Sequence, residues 1–206
     1  MQLRFESDLT GEEYVSQQAW RKASLSLCPL HPQGGCGLAR HGTYERRSPP
    51  GTRIARWYCP KGHRTFSLLP DCLAARMPGT LAEIEAFLVS REQAKSLEAA
   101  CLSLRPEIEW PGLLRWARRR IQAVYTALHL LKGLLPTLFE GCPPTLAGFS
   151  QRLGSEGVLP ALRSIAAPFL AELPTPLGLR PRRPRGARPD RALQHSTGAD
   201  PPGLMA

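Results

Sequence analysis

Two short clusters of cysteine and histidine in the first third of the chain constrain its fold most strongly. The first covers residues 28–36 and reads CPLHPQGGC, and the second covers residues 59–63 and reads CPKGH. Thiolate and imidazole ligands supplied by two such loops are typical of a closed tetrahedral zinc site, which stabilises a fold and leaves no open position for a substrate. The clusters therefore predict a structural zinc ribbon over residues 28–70.

The first ligand candidates for this zinc ion are Cys28, Cys59 and His63. The fourth is either Cys36, which supplies another thiolate, or His31, which gives the tighter Cys-x2-His spacing. The alternative is a set of reduced cysteines that bind no metal ion in a loop-rich region.

The segment between the clusters predicts a β-hairpin with a positively charged face. Its two runs alternate in polarity on either side of a Ser-Pro-Pro-Gly turn at 48–51. Guanidinium groups pair well with phosphate, so the arginines around this hairpin are candidate nucleic-acid contacts. They are Arg40, Arg46, Arg47, Arg53, Arg56 and Arg64, and Glu45 is the only acidic residue between Cys28 and Phe66.

A helical pattern replaces this alternation after residue 79. Thr80 and Glu83 form a capping-box signature ahead of an apolar stripe. Further along, four arginines are candidate DNA contacts: Arg115, Arg118, Arg119 and Arg120. The first three share one helical face and the fourth lies on a neighbouring face. We expect a helical DNA-binding unit of the helix-turn-helix type over 79–139, against the alternative of a solvated basic face.

The fold class predicted from these patterns is small α+β. A zinc-ribbon β-hairpin near the N-terminus is followed by an all-α bundle of the helix-turn-helix type and a disordered C-terminal tail. The segments are an N-terminal helix at 1–27, the ribbon at 28–70, the helical unit at 79–139, additional helices at 141–173 and a basic tail at 174–206. The tail is rich in proline, arginine and glycine, a composition that cannot bury a core.

The composition of the chain indicates which classes of partner and activity to expect. The formal net charge of +10 predicts an anionic partner. No apolar run approaches the roughly 18 residues of a membrane span, and the N-terminus lacks the apolar core of a signal peptide. We therefore expect a cytoplasmic protein that does not bind membranes. The aspartates are scattered and no catalytic motif is present, so the sequence predicts no enzyme.

Several segments together resemble the N-terminal zinc-ribbon regions of bacterial insertion-sequence transposases and their small accessory proteins. They are the Cys28-Pro29 pair, the Arg40–Tyr44 run with Arg46, the Arg56–Cys59 run and the Arg64–Pro70 run. The resemblance implies a zinc ribbon followed by a helix-turn-helix that together recognise duplex DNA, with a transposase or a second copy of the chain as a further partner.

The sequence departs from that family in two respects. The family has Cys-x2-Cys in both knuckles, whereas here the second knuckle is Cys59-x3-His63 and the first offers His31 or Cys36. The family also continues into a catalytic domain with three separated acidic residues, which has no match here. The resemblance therefore implies a non-catalytic, transposase-related DNA-binding protein. The alternatives are a protein-interaction adaptor with a structural zinc ribbon, or a decayed transposase fragment.

Overall fold

A computed structural model describes residues 1–104, 111–155 and 157–179, which form a small α+β fold with a four-stranded mixed sheet. The strands are β1 (Gln2–Phe5), β2 (Ala39–Glu45), β3 (Arg53–Cys59) and β4 (Arg64–Pro70). Their order in the sheet is β1-β4-β3-β2. The first strand is parallel to β4, and the other neighbours are antiparallel.

The helices of the described ranges lie mostly after the sheet. They are α1 (Gly11–Ser16), α2 (Leu81–Gln93), α3 (Leu97–Leu104), α4 (Gly112–Leu134), α5 (Pro136–Phe139), α6 (Leu146–Leu153) and α7 (Val158–Ile165). Short 3-10 helices cover Ala19–Arg21 and Ala167–Phe169. No helix within these ranges combines the length and the apolar character that crossing a bilayer requires.

The N-terminal segment differs from the single helix predicted for residues 1–27. It begins with β1, which pairs in parallel with β4, and α1 covers only the short stretch Gly11–Ser16. A parallel strand is selected by a partner far away in the chain, so a local pattern does not reveal it. In contrast, the capping box of Thr80 and Glu83 is present in full at the start of α2, as predicted.

One apolar core connects the sheet to the helices. It includes Ile54 and Leu69 from the sheet, Phe87 from α2 and Leu128 from α4, and it extends to Leu179. The predicted ribbon and the predicted helical unit therefore share a core. Each depends on the other for the burial of its apolar face.

Two buried charged side chains connect distant parts of this core. The carboxylate of Glu85 in α2 accepts the backbone N–H groups of Val158 and Leu159 at 2.9 and 2.8 Å, and so caps the first turn of α7. Arg163 in α7 is 1 % exposed and donates to the carbonyls of Asp71 and Leu177 at 3.0 and 3.1 Å.

The start of the segment predicted to be a disordered tail is packed in the core. Leu177 and Leu179 are buried, and Arg163 donates to the carbonyl oxygens of Pro176 and Leu177. The boundary predicted at residue 174 is therefore wrong for 174–179. This proline-rich segment has no periodic pattern of its own, and it is packed because its apolar side chains and carbonyl groups find partners in distant parts of the chain. The remainder of the predicted tail, 180–206, lies outside the described residues.

Candidate metal centre

The candidate metal ligands lie on a loop and at a strand end. Cys28 and His31 face each other across a tight turn that the His31 N–H closes by donating to the Cys28 carbonyl at 3.0 Å. Cys36 follows two glycines with positive φ, Gly34 and Gly35, which return the chain toward the turn. Cys59 is the last residue of β3.

The four side chains form one compact group. The Sγ atoms of Cys28, Cys36 and Cys59 and a ring nitrogen of His31 all lie within 4.8 Å of one another. The Nδ1 of His31 is 3.6 Å from the Cys28 sulfur and 3.4 Å from the Cys59 sulfur. Metal–sulfur bonds of about 2.3 Å and metal–nitrogen bonds of about 2.0 Å at tetrahedral angles put sulfur and nitrogen roughly 3.5 Å apart. The group therefore has the dimensions of a four-coordinate metal site.

The surroundings of the group are apolar and close-packed. The three cysteines are buried in a small cluster with Phe66, and Trp57 packs against its edge. A buried set of thiols without a metal ion has few strong hydrogen-bond partners, whereas a metal ion satisfies all of them at once. The three cysteine sulfurs are therefore placed in apolar surroundings as in a structural site, with the half-buried His31 at the edge.

Gly62 supports the site in two ways. Its N–H donates to the Cys59 sulfur at 3.2 Å, which stabilises a thiolate at that position. A Cβ atom at Gly62 would lie 2.8 Å from the Leu30 Cδ1 and 3.3 Å from the Cys59 sulfur, so a larger residue requires Leu30 to move and presses on the sulfur. The sequence patterns did not predict this role for Gly62, although its position three residues after a cysteine of the second cluster is a signal for it.

The thiols of the group differ in their tendency to ionise. Burial raises the pKa of the Cys28 thiol. Hydrogen bonds with His31, with the Leu30 backbone and with the other thiols outweigh burial and lower this pKa to about 6. Burial also raises the pKa of the Cys59 thiol, and the Gly62 N–H offsets this only in part. One thiolate therefore forms readily, and a bound cation would favour ionisation of the other thiols.

The position of His63 differs from the sequence prediction. Its φ is 46°, it is exposed, and its Nδ1 lies 3.4 Å from the Tyr58 hydroxyl, outside the four-ligand group. In the turn after Cys59 the Gly62 N–H points at the Cys59 sulfur. The left-handed backbone at residue 63 then places the His63 ring beside Tyr58 and not beside the sulfur. His31 and Cys36, which the sequence left as alternatives, are both members of the group.

Most of the arginines predicted to contact nucleic acid are exposed. On the strands they are Arg40, Arg53 and Arg64, with Arg56 half-buried, and Arg47 lies on the turn between β2 and β3. On α4 they are Arg115, Arg118 and Arg119. Arg40 has a structural contact as well, because its guanidinium donates to the carbonyl oxygens of Trp20 and Arg21.

Arg46 and Arg120 differ from that expectation because the fold uses their side chains. Arg46 donates to the carbonyl oxygens of Ala74 and Met77, and burial lowers the pKa of its guanidinium. Arg120 is 6 % exposed, and its guanidinium carbon lies 4.2 Å from the centre of the Trp116 ring. Helical spacing placed Arg120 next to the exposed arginines, but that face of α4 packs toward α2.

Comparison with known proteins assigns no relative to this chain. No family model, no curated protein and no solved structure matches it. The geometry of the Cys28–His31–Cys36–Cys59 group and the distribution of charge are therefore the observations that point to a function.

Proposed function

We propose that the protein is a non-catalytic, duplex-DNA-binding protein with one structural zinc ion. The ion is held by Cys28, His31, Cys36 and Cys59, whose ligand atoms lie within 4.8 Å of one another. The two sulfur–nitrogen distances of 3.6 and 3.4 Å fit tetrahedral coordination. Three thiolates and one imidazole form a donor set that is typical of zinc among the divalent metal ions. The ion would fix the loop at 28–36 to the end of β3.

The observation that carries the DNA-binding proposal is the charge on α4. Arg115, Arg118 and Arg119 are exposed on one face, while Leu113, Ala117 and Val124 on the other face are buried. No aspartate or glutamate occurs in the 23 residues of this helix. A helix with a buried apolar face and an unopposed arginine face supports entry into a major groove.

The sheet supplies a second basic surface. Exposed arginines at 47, 53 and 64 lie on strands or turns that face solvent, and Glu45 is the only acidic residue from Tyr14 to Pro70. Arginines on an extended surface suit sequence-independent phosphate contacts, which position a protein on the duplex. The proposal therefore assigns base contacts to α4 and phosphate contacts to the sheet.

The proposal assigns the role of a helix-turn-helix recognition helix to α4 because of its exposed arginines. The other helices of the unit are α2 and α3, which a three-residue link at 94–96 joins, and α3 contacts both α2 and α4. The proposal also includes a transposase-related role, with a transposase or a second copy of the chain as partner.

Duplex binding at several salt concentrations tests this function. The parent, Arg118→Ala and Arg119→Ala are titrated onto selected and random duplexes between about 50 and 200 mM salt. The parent should lose affinity steeply as salt rises. The two variants should lose about 1–3 kcal/mol on the selected duplex and less on the random one. Lys95→Ala, which removes an exposed charge outside α4, is the matched control.

One observation favours a second candidate function, a protein-interaction adaptor. Leu27 and Leu30, beside the metal-ligand group, are 60 % and 46 % exposed. Exposed leucines on a rigid loop suit a protein partner. If the parent shows no salt-dependent duplex affinity and α4 variants match it, the adaptor replaces the DNA-binding proposal.

A further inference from the structure

A basic pocket lies where the start of the sheet meets the segment that precedes α2. It has a volume of about 260 Å³ and opens to solvent. Its polar lining comes from Gln2, Tyr44, Arg46, Arg47, Ser48 and Arg76. None of the described residues that line it is acidic, so three arginines border the same space without a carboxylate in the wall.

The fold fixes the segment that carries Arg76. The Arg46 guanidinium donates to the carbonyl oxygens of Ala74 and Met77, one on each side of Arg76. The Ala75 N–H donates to the Pro176 carbonyl at 2.8 Å. Arg76 itself has a φ of 56°, a left-handed conformation that is uncommon for arginine. The backbone at this position is therefore held in place before any ligand arrives.

Arg47 approaches the pocket from the turn between β2 and β3. The Arg46 N–H donates to the Thr52 carbonyl at 2.9 Å, and the Thr52 N–H donates to the Pro49 carbonyl at 3.3 Å, so the turn that carries Arg47 is closed on both sides. Arg47 is exposed. A rigid turn and a rigid loop thus present two arginine side chains to one space, which reduces the entropy lost on binding.

Gln2 adds an incompletely bonded polar group to the wall of the pocket. Its Oε1 is buried and has no hydrogen-bond partner among the described residues. Rotation of the amide exchanges its oxygen and nitrogen, so the same position can present an N–H donor. A ligand with several acceptor oxygens would use that donor as well as the guanidinium groups.

We propose that this pocket binds a phosphate group through Arg47 and Arg76, with Arg46 as the positioning residue. Guanidinium forks match the tetrahedral oxygens of phosphate with paired, charge-assisted hydrogen bonds. The phosphate belongs either to the backbone of a DNA duplex, in which case the inference rests on the proposed function, or to a small phosphate-bearing molecule.

Titration of the full-length protein with inorganic phosphate tests the pocket directly. Backbone amide NMR signals of residues 46–48 and 74–77 should shift and saturate in the parent. Arg47→Ala and Arg76→Asn should abolish or strongly weaken this saturation, and asparagine is chosen because it tolerates a left-handed backbone. Arg21→Ala removes an exposed charge that does not line the pocket, and it should bind phosphate as the parent does.

The same variants are then titrated onto a random duplex at several salt concentrations. If the phosphate comes from DNA, each pocket variant should lose roughly two- to fivefold in affinity at low salt, and its salt slope should fall by about one. Unchanged duplex binding with lost phosphate binding assigns the pocket to a small molecule. Absence of saturable shifts in the parent overturns the pocket, even if the parent binds duplex and the proposed function stands.

Discussion

The Cys59 sulfur lies 3.4 Å from the Nδ1 of His31, although the two residues are 28 positions apart in the chain. This contact joins the loop before the sheet to the end of a central strand. It also places His31, rather than His63, in the group that can bind a metal ion. A bound metal ion would turn this contact into a cross-link between the two segments.

The first prediction distinguishes the two histidines. His31→Ala should weaken zinc binding more than about tenfold, because it removes one of four ligands. His63→Ala should leave zinc binding unchanged, because that ring contacts Tyr58 outside the group. Competition with a zinc-binding dye at neutral pH measures both affinities. Loss of zinc from His63→Ala, with retention by His31→Ala, would contradict the assignment.

The second prediction concerns Gly62. Gly62→Ala places a Cβ atom 2.8 Å from Leu30 and 3.3 Å from the Cys59 sulfur. Overpacking of this kind should lower the free energy of unfolding by about 1–3 kcal/mol and weaken the metal site. Urea unfolding and zinc competition report the two effects.

A second glycine provides the matched control for this substitution. A Cβ at Gly133 in α4 meets no atom within 4 Å. Gly133→Ala should therefore stabilise the protein by about 0.4–1 kcal/mol, because alanine has less freedom in the unfolded chain. Equal effects of the two substitutions would show that the space at Gly62 is not limiting.

The third prediction concerns the carboxylate that caps α7. Glu85→Ala leaves the N–H groups of Val158 and Leu159 without their acceptor in a buried position. It should cost about 2–4 kcal/mol, because hydrogen bonds to a charged group are stronger than neutral ones. Glu172→Ala, at an exposed position, should change stability by less than about 0.5 kcal/mol. Similar denaturation midpoints for the two variants would rule out the capping role.

The fourth prediction concerns the chain after Leu173. A chain that ends at Leu173 lacks the buried Leu177 and Leu179 and two carbonyl acceptors of Arg163. It should lose about 3–6 kcal/mol of stability relative to a chain that ends at Leu179. Thermal unfolding of the two chains makes the comparison. If their melting temperatures coincide, residues 174–179 contribute no stability.

Local patterns in the sequence were sufficient for several features. Thr80 and Glu83 were recognised as a capping box because both of its hydrogen bonds form within three residues. Helical spacing placed Arg115, Arg118 and Arg119 on one helical face, and the structure has them in the helix Gly112–Leu134. Residue type and clustering also predicted Cys28 and Cys59 as candidate ligands, and both belong to the group that could hold a metal ion.

Features that depend on distant partners required the tertiary structure. The sequence treated His63 as a firm ligand because it is close to Cys59 in the chain, but the direction of a side chain after a turn depends on backbone angles, and a φ of 46° turns this ring away. Arg46 and Arg120 carry the same charge as their exposed neighbours, and only packing shows that their guanidinium groups contact backbone carbonyls or an aromatic ring.

The sequence by itself determined that cysteines at 28 and 59 are candidate metal ligands, that a helical region follows residue 79 and that the molecule is strongly basic, because residue chemistry and short-range periodicity encode these properties. Only the tertiary structure decided that β1 joins the sheet, that one core unites the sheet with the helices and that 174–179 is packed. Those outcomes depend on burial and hydrogen bonding between segments far apart in the chain. A short stretch of sequence read alone therefore does not predict them.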